Sequence, residues 1–310
     1  MKKILVTGGA GYIGSVLLPY LLQEDFGVTV YDMLRYSGCG LIPHIKKENF
    51  HFIKGDVRDK ESLRKVISQN DMVIHLAAIV GLPACKRDPN LAESTNVQGT
   101  QNVLDSLSSD QRVIYASSVS NYGAASGHSC DEQSPLYPIS CYGVTKTEAE
   151  KMMLDSENSL CFRFATAFGV SPRMRLDLLI NDFVHQACIN RILTLFEKSY
   201  KRTFAHVRDI SRCLLFALNN FDRMTHKLYN VGDNANNVSK EDIALKIKER
   251  VDYYLHFAEI EKDEDQRNYS VSYDLINSIG FKTEISIDEG IDELVKACPL
   301  FESAPPFRNF

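Results

Sequence analysis

The sequence predicts an α/β fold, a doubly wound parallel sheet with a smaller α/β part toward the C-terminus. Two observations carry this. Short apolar runs alternate with helical patterns through the first half of the chain, the order that builds a parallel sheet with helices on both faces. The first run, Ile4-Leu5-Val6, leads into Thr7-Gly8-Gly9-Ala10-Gly11-Tyr12-Ile13-Gly14 and then a helical pattern over 15–23, the order strand, tight turn, helix start.

The later elements follow in order. Val28-Thr29-Val30-Tyr31 ends in Asp32, and Phe50-His51-Phe52-Ile53 precedes Gly55-Asp56-Val57. Met72-Val73-Ile74-His75 precedes Leu76-Ala77-Ala78, and Arg112-Val113-Ile114-Tyr115 precedes Ala116-Ser117-Ser118. Leu160-Cys161-Phe162-Arg163-Phe164 is the next strand, and helices are expected over 60–68, 91–107 and 145–155. From about Gly169 the alternation breaks down. A helix over 178–189, a strand over 192–196 and a helix over 209–219 follow, and 227–231 reads as one more strand of the main sheet. Residues 240–250 read as a helix with alternating charge and a solvated face. A strand at 270–273, a helix over 287–296 and a tail at Ala304-Pro305-Pro306 complete the chain. This divides it into a Rossmann domain over 1–168, to which 205–232 returns, and a second domain from 169–204 and 233–310.

At 310 residues and a formal charge of −5, the chain has no basic field for nucleic acid and no apolar run long enough to span a membrane. Met1-Lys2-Lys3 resembles the start of a signal peptide, but the glycines of 8–14 interrupt the apolar stretch such a peptide needs. Eight scattered cysteines without a C-x-x-C pair predict reduced cytoplasmic thiols and no metal site.

Ligands of doubly wound sheets bind beyond the carboxyl ends of the strands. Asp32, Asp56, Ala77 and Ser118 all fall there. In the glycine stretch, Gly8 permits the turn, Gly11 lets backbone N–H groups approach a pyrophosphate, and Gly14 lets the helix pack on the strand. The spacing is G-x-x-G-x-x-G rather than G-x-G-x-x-G. The helix N-terminus presents unpaired donors and a positive dipole end to the anion. Asp32 is placed to accept from a ribose 2′-OH and to repel a 2′-phosphate, which predicts NAD over NADP, with Arg35 as the residue that argues the other way.

Tyr142-Gly143-Val144-Thr145-Lys146 supplies the chemistry. At a helix start, Tyr142 and Lys146 lie one turn apart on one face. A phenol titrates near 10 and is a poor base at neutral pH. A nearby ammonium and the positive charge of an oxidised nicotinamide favour the phenolate. Ser118 can hydrogen-bond the same substrate oxygen. Together they can take a proton from an alcohol while its hydride leaves.

These motifs resemble the extended short-chain dehydrogenase/reductases, in the sugar-nucleotide epimerase/dehydratase branch. Thr7–Gly14, Asp32, Asp56-Val57, His75 to Ala78, Asn96, Tyr115 to Ser118, Tyr122-Gly123, Tyr142 to Lys146 and His206-Val207-Arg208-Asp209 carry the likeness. The resemblance implies that the glycines, Tyr12 and Ile13 hold the pyrophosphate, Asp32 the ribose, and Asp56 and Val57 the adenine. It implies that Leu76, Ala77, Ala78, Asn96 and Ala165 line the rest of the cofactor, and that Ser118, Tyr142 and Lys146 are catalytic. On the substrate side it implies Asn181 at the phosphates, Leu195 and Phe196 on the nucleotide base, Arg202 and Arg267 clamping the diphosphate, and Thr166 near the sugar. The run Ser171-Pro172-Arg173-Met174-Arg175-Leu176-Asp177-Leu178-Leu179-Ile180-Asn181-Asp182-Phe183 with Leu195-Phe196-Glu197 is similar to bacterial enzymes that oxidise C4 of GDP-manno-heptose, which suggests a GDP-linked substrate.

The expected function is thus NAD-dependent oxidoreduction at C4 of a nucleoside-diphosphate sugar, as a 4-epimerase or 4-dehydrogenase in surface-polysaccharide synthesis, with a 4-keto reductase as the alternative. The dehydratases of this branch carry Asp-Glu after the catalytic Ser or Thr. Val119 and Ser120 stand there instead, which counts against dehydration. The resemblance also implies a homodimer paired through helices 91–107 and 145–155, with Val97, Val103, Leu104 and Met153 in contact. The same stripe would equally serve facing the sheet.

Overall fold

The computed structural model describes residues 1–125, 129–224, 227–258 and 267–301. Its elements are β1 (Lys2–Thr7), α1 (Tyr12–Gln23), β2 (Phe26–Asp32), β3 (Phe50–Lys54), α2 (Lys60–Ile67), β4 (Met72–His75), α3 (Leu82–Arg87), α4 (Pro89–Glu93), α5 (Gly99–Ser106), β5 (Arg112–Ser118), β6 (Ser129–Cys130), α6 (Cys141–Asp155), β7 (Ser159–Phe164), β8 (Thr166–Phe168), α7 (Leu179–His185), β9 (Ile192–Phe196), β10 (Lys201–His206), α8 (Val207–Asn220), β11 (Leu228–Val231), β12 (Asn237–Ser239), α9 (Lys240–Lys248), β13 (Tyr254–Ala258), β14 (Ser270–Val271), α10 (Asp274–Ser278) and α11 (Ile287–Ala297). The expected tail at 304–306 lies outside the described residues.

Seven strands form one parallel sheet in the order β11-β7-β5-β4-β1-β2-β3. The chain winds outward from β1 through β2 to β3, then crosses to β4 and winds the other way. This is the predicted doubly wound Rossmann sheet, and its switch point falls between β1 and β4. The strands read as continuous apolar runs because both faces are covered. Ile4, Val6, Val30 and Ile114 pack with α1 and α8 on one face, and Leu5, Val73 and Val113 with α2, α5 and α6 on the other.

The second half is less regular. β8, β10 and β12 form a three-stranded sheet, β9 pairs with β13, and β6 pairs with β14. A separate apolar cluster of Phe168, Ile180, Leu193, Ile243 and Ile291 sits beneath them. Tyr12 and Val16 of α1 belong to that cluster, so one helix serves both cores.

Three expectations need correction. The helical pattern over 91–107 is broken into α4, a π turn at Ser94–Gln98 and α5. The π turn directs Thr95 and Asn96 inward, and Gly99 lets Val57 approach, since a Cβ there would lie 2.7 Å from its side chain. Val103 and Met153, offered as dimer contacts, are fully buried against the sheet. The helix α9 is more than a solvated face, because Lys240, Ile243, Ala244 and Ile247 are buried on its other side.

Candidate active site

The glycine stretch folds as a cradle at the carboxyl end of β1. Gly8 has φ +72°, and a Cβ there would lie 2.6 Å from the Ala77 nitrogen. A Cβ at Gly14 would lie 2.5 Å from the Gly9 carbonyl oxygen. Gly11 is the N-cap of α1 and brings no side-chain cap, so the first-turn N–H groups at Tyr12 and Ile13 are presented at the cleft. Only glycine fits the first two positions, and the geometry suits close approach of a pyrophosphate.

Asp32 ends β2. Its carboxylate accepts from the Ala10 N–H at 3.0 Å and the Leu34 N–H at 2.7 Å. Burial raises its pKa, and those two hydrogen bonds together with the charge of Arg173 oppose the rise. Asp56 ion-pairs with Arg58 at 2.6 Å. Burial pushes its carboxyl up, but the Arg58 hydrogen bonds prevail and hold it low.

Behind the β4 rim a buried chain runs from Thr7 Oγ1 to His75 Nδ1 at 2.7 Å, and from His75 Nε2 to Thr100 Oγ1 at 3.1 Å. Burial pushes His75 down to about 3, so the imidazole is neutral at physiological pH and acts as a strut. Asn96 accepts from the Ile79 N–H at 2.7 Å and donates to the Ile79 carbonyl at 2.9 Å and to Thr145 Oγ1 at 3.0 Å.

The end that holds Tyr142 and Lys146 is built by α6. Ser140 caps it, accepting from the Gly143 N–H at 3.0 Å, so the helix starts four residues before the expected 145 and carries both Tyr142 and Lys146. Burial raises the Tyr142 pKa, while a hydrogen bond with Ser118 and the charges of Arg175 and Arg267 lower it. Lys146 Nζ stands 3.9 Å from the centre of the Tyr115 ring. Burial pushes it down to about 7, and the carboxylate of Glu150 one turn on favours its charged form. In this geometry Ser118, Arg175 and Arg267 favour the phenolate, and Lys146 is engaged with Tyr115.

One cleft of about 650 Å³ joins these parts. Gly8, Gly11, Tyr12, Ile13, Gly14, Asp32, Asp56, Val57, Leu76, Ala77, Ala78, Ser118, Tyr142, Lys146, Ala165, Thr166, Leu195, Phe196, Arg202 and Arg267 all line it. Asn96 and Asn181 do not. Asn181 is 1% exposed and its amide is spent on the Gly169 N–H, the Tyr12 hydroxyl and the Arg175 carbonyl. Both amides hold the cleft's walls from behind.

Sequence reasoning missed the role of the strap over 169–178. Ser171 Oγ donates to the Tyr12 carbonyl at 2.8 Å, and Tyr12 donates its hydroxyl to the Gly169 carbonyl at 2.6 Å. The strap carries Arg173 onto the Tyr36 ring, 4.1 Å from its centre, and places Arg175 in a 2.6 Å ion pair with Asp177. Arg173, Arg175 and Asp177 all line the cleft. The family likeness of the run marked it as substrate-related, but two arginines and an aspartate within five residues after a proline read by themselves as a surface turn.

Fold and cleft together define an α/β protein built to hold a dinucleotide beside a Tyr-Lys-Ser set. Residues 4–232 match the NAD dependent epimerase/dehydratase family, and the chain belongs to it, with NAD as its cofactor. It is 30% identical to the low-salt glycan biosynthesis protein Agl12 of Haloferax volcanii, an alignment covering 94% of this chain and 97% of that one. The crystal structure of UDP-glucose 4-epimerase from Brucella ovis in complex with NAD superposes with a TM-score of 0.81 at 25% identity, over 96% of this chain and 98% of that one. The X-ray structure of Pal from Bacillus thuringiensis gives a TM-score of 0.87 at 21% identity, over 97% and 100%.

Proposed function

We propose that the chain catalyses oxidoreduction at C4 of a nucleoside-diphosphate sugar, as a 4-epimerase or a 4-dehydrogenase, with glycan synthesis as its setting. The observation that carries this is the meeting of Ser118, Tyr142 and Lys146 with the glycine cradle and Asp32 in one cleft. Bound NAD would supply a hydride acceptor and, in reverse, a hydride donor. The cradle and the first turn of α1 would hold its pyrophosphate and Asp32 its ribose diol. Ser118 orients the sugar hydroxyl, and Tyr142 takes its proton. Lys146, poised near neutrality, carries the charge that helps hold the phenolate once formed. Arg202, 3% exposed, and Arg267 face the same cleft and suit a diphosphate, to which guanidinium groups bind bidentately. Leu195 and Phe196 suit a nucleotide base.

Dehydration has weaker support. Val119 and Ser120 occupy the place of an acid pair, and neither can protonate a leaving hydroxyl. The run from Ser171 to Phe183, with Leu195-Phe196-Glu197, favours a GDP-linked heptose or hexose. A panel of GDP-, UDP- and CDP-sugars incubated with NAD tests the reading. Released NADH marks a dehydrogenase, a changed sugar without net NADH marks an epimerase, and no turnover of any sugar overturns it.

The division into a cofactor half at 1–168 with 205–232 and a substrate half from the rest belongs to the same proposal, as do a cytoplasmic location and a homodimer. The free cysteines among the described residues suit a reducing compartment. With Val103 and Met153 buried, pairing through α5 and α6 must use outward residues such as Val144, which is 41% exposed. A monomeric mass at micromolar concentration would contradict the dimer.

A further inference from the structure

Ser120 takes no part in the chemistry above, yet it is built into the catalytic end of the cleft. It lies in the 3-10 turn after β5, is 6% exposed and lines the cleft. Its N–H donates to Ser118 Oγ at 3.1 Å, and the Ser118 hydroxyl donates back to Ser120 Oγ at 3.0 Å. From the opposite side Arg267 Nη1 donates to the same Ser120 oxygen. Arg267 is held there by its own segment, because the Tyr269 hydroxyl donates to the Val119 carbonyl at 2.8 Å. Ser118 in turn bonds Tyr142. One continuous path therefore runs from a guanidinium of the C-terminal region to the phenol.

We propose that Ser120 is a positioning residue that holds the Arg267 guanidinium beside the Ser118–Tyr142 pair, so that this arginine serves the proton-accepting phenol and not only an incoming diphosphate. The proposal rests on Tyr142 being the base. Two physical consequences follow. A serine oxygen that accepts from Arg267 and from Ser118 ties the guanidinium to the residue that bonds Tyr142. A positive charge held in that place favours the phenolate. The other groups around the phenol are Arg175 with its partner Asp177 on the strap, Cys85 on α3 and Lys146 on α6. Arg175 acts in the same direction as Arg267, and the Cys85 thiol acts against both. Removing Ser120 leaves Arg175 in place, so a partial effect is expected.

The test reads the titration of Tyr142 directly, as the ultraviolet tyrosinate difference between the whole protein and its Tyr142→Phe variant. The same comparison is made in Ser120→Ala, Ser120→Thr, Arg267→Met and Arg267→Lys backgrounds. Ser120→Ala and Arg267→Met are expected to raise the midpoint by about one pH unit, a tenfold loss of phenolate at fixed pH. Ser120→Thr and Arg267→Lys are expected to restore most of it. The acid limb of kcat should move with the midpoint, while the affinity for NADH stays put. If Arg267 is a diphosphate clamp alone, these variants raise KM for the sugar nucleotide and leave midpoint and limb unmoved, and the proposal is overturned. Undiminished turnover in Tyr142→Phe would overturn the assignment of the base and this proposal together. An inactive Tyr142→Phe with an unmoved midpoint in Ser120→Ala overturns this proposal alone.

Discussion

The two rims of the cleft are built on different principles. On the rim proposed for the cofactor the cradle is backbone, at strand ends and the first turn of α1, joined by the Asp32 carboxylate, and each part sits next in sequence to the strand that places it. On the rim proposed for the substrate the contacts come from long side chains, Arg175, Arg202 and Arg267, brought together from a strap, a strand of a small sheet and the segment before β14. A backbone cradle tolerates no change of shape. A set of side chains can be altered one at a time.

The variants that test this contrast differ in size of effect. Tyr142 stands where the rims meet. Tyr142→Phe is expected to lower kcat by about 10²- to 10⁴-fold with NADH affinity unchanged, measured by steady-state kinetics and nicotinamide fluorescence. Loss of NADH binding in this variant would show that the rims are not separable.

Gly8→Ala attacks the cofactor rim alone. With φ +72° and the Ala77 backbone 2.6 Å from the new Cβ, it should cost about 2 kcal/mol or more and abolish retention of NAD, read by thermal melting and by nucleotide content after purification. Wild-type NAD content would refute the role given to the turn. Arg202→Ala attacks the substrate rim. It should raise KM about tenfold or more and leave NAD binding intact, so a fall in kcat at constant KM would count against a binding role.

The smallest effect concerns Lys146. Its pKa falls from 10.5 to about 7 on folding, through burial. Below pH 7 both states are protonated and the folded state bears the full cost of a buried charge. Between pH 7 and 10.5 only the unfolded state keeps its proton, so this group's contribution to stability rises with pH. Lys146→Met should therefore gain most over wild type below pH 7, roughly a few °C in Tm, and lose that advantage toward pH 10. A gap independent of pH would mean the lysine is not depressed.

Most of the cofactor rim was legible in the sequence. Gly8, Gly14 and Asp32 obey local rules of turn geometry and strand ends, and the spacing of Tyr142 and Lys146 obeys helix periodicity. Asn96 and Asn181 matched positions in a family pattern, yet both lie behind the wall. Which way an amide points depends on partners 17 residues away for Asn96 and 169 away for Asn181. The break in the 91–107 helix was equally hidden, since a π turn is a response to packing rather than a composition.

What the chain by itself determined is the winding of the sheet, the cradle, and the Tyr-Lys pair, because each depends on residues within a few positions of one another. Only the tertiary structure decided that the charges of Arg175 and Arg267 reach the phenol, and that Ser120 joins one of them to Ser118. Electrostatic influence falls with distance in space and depends on burial, and neither is set by neighbours in sequence.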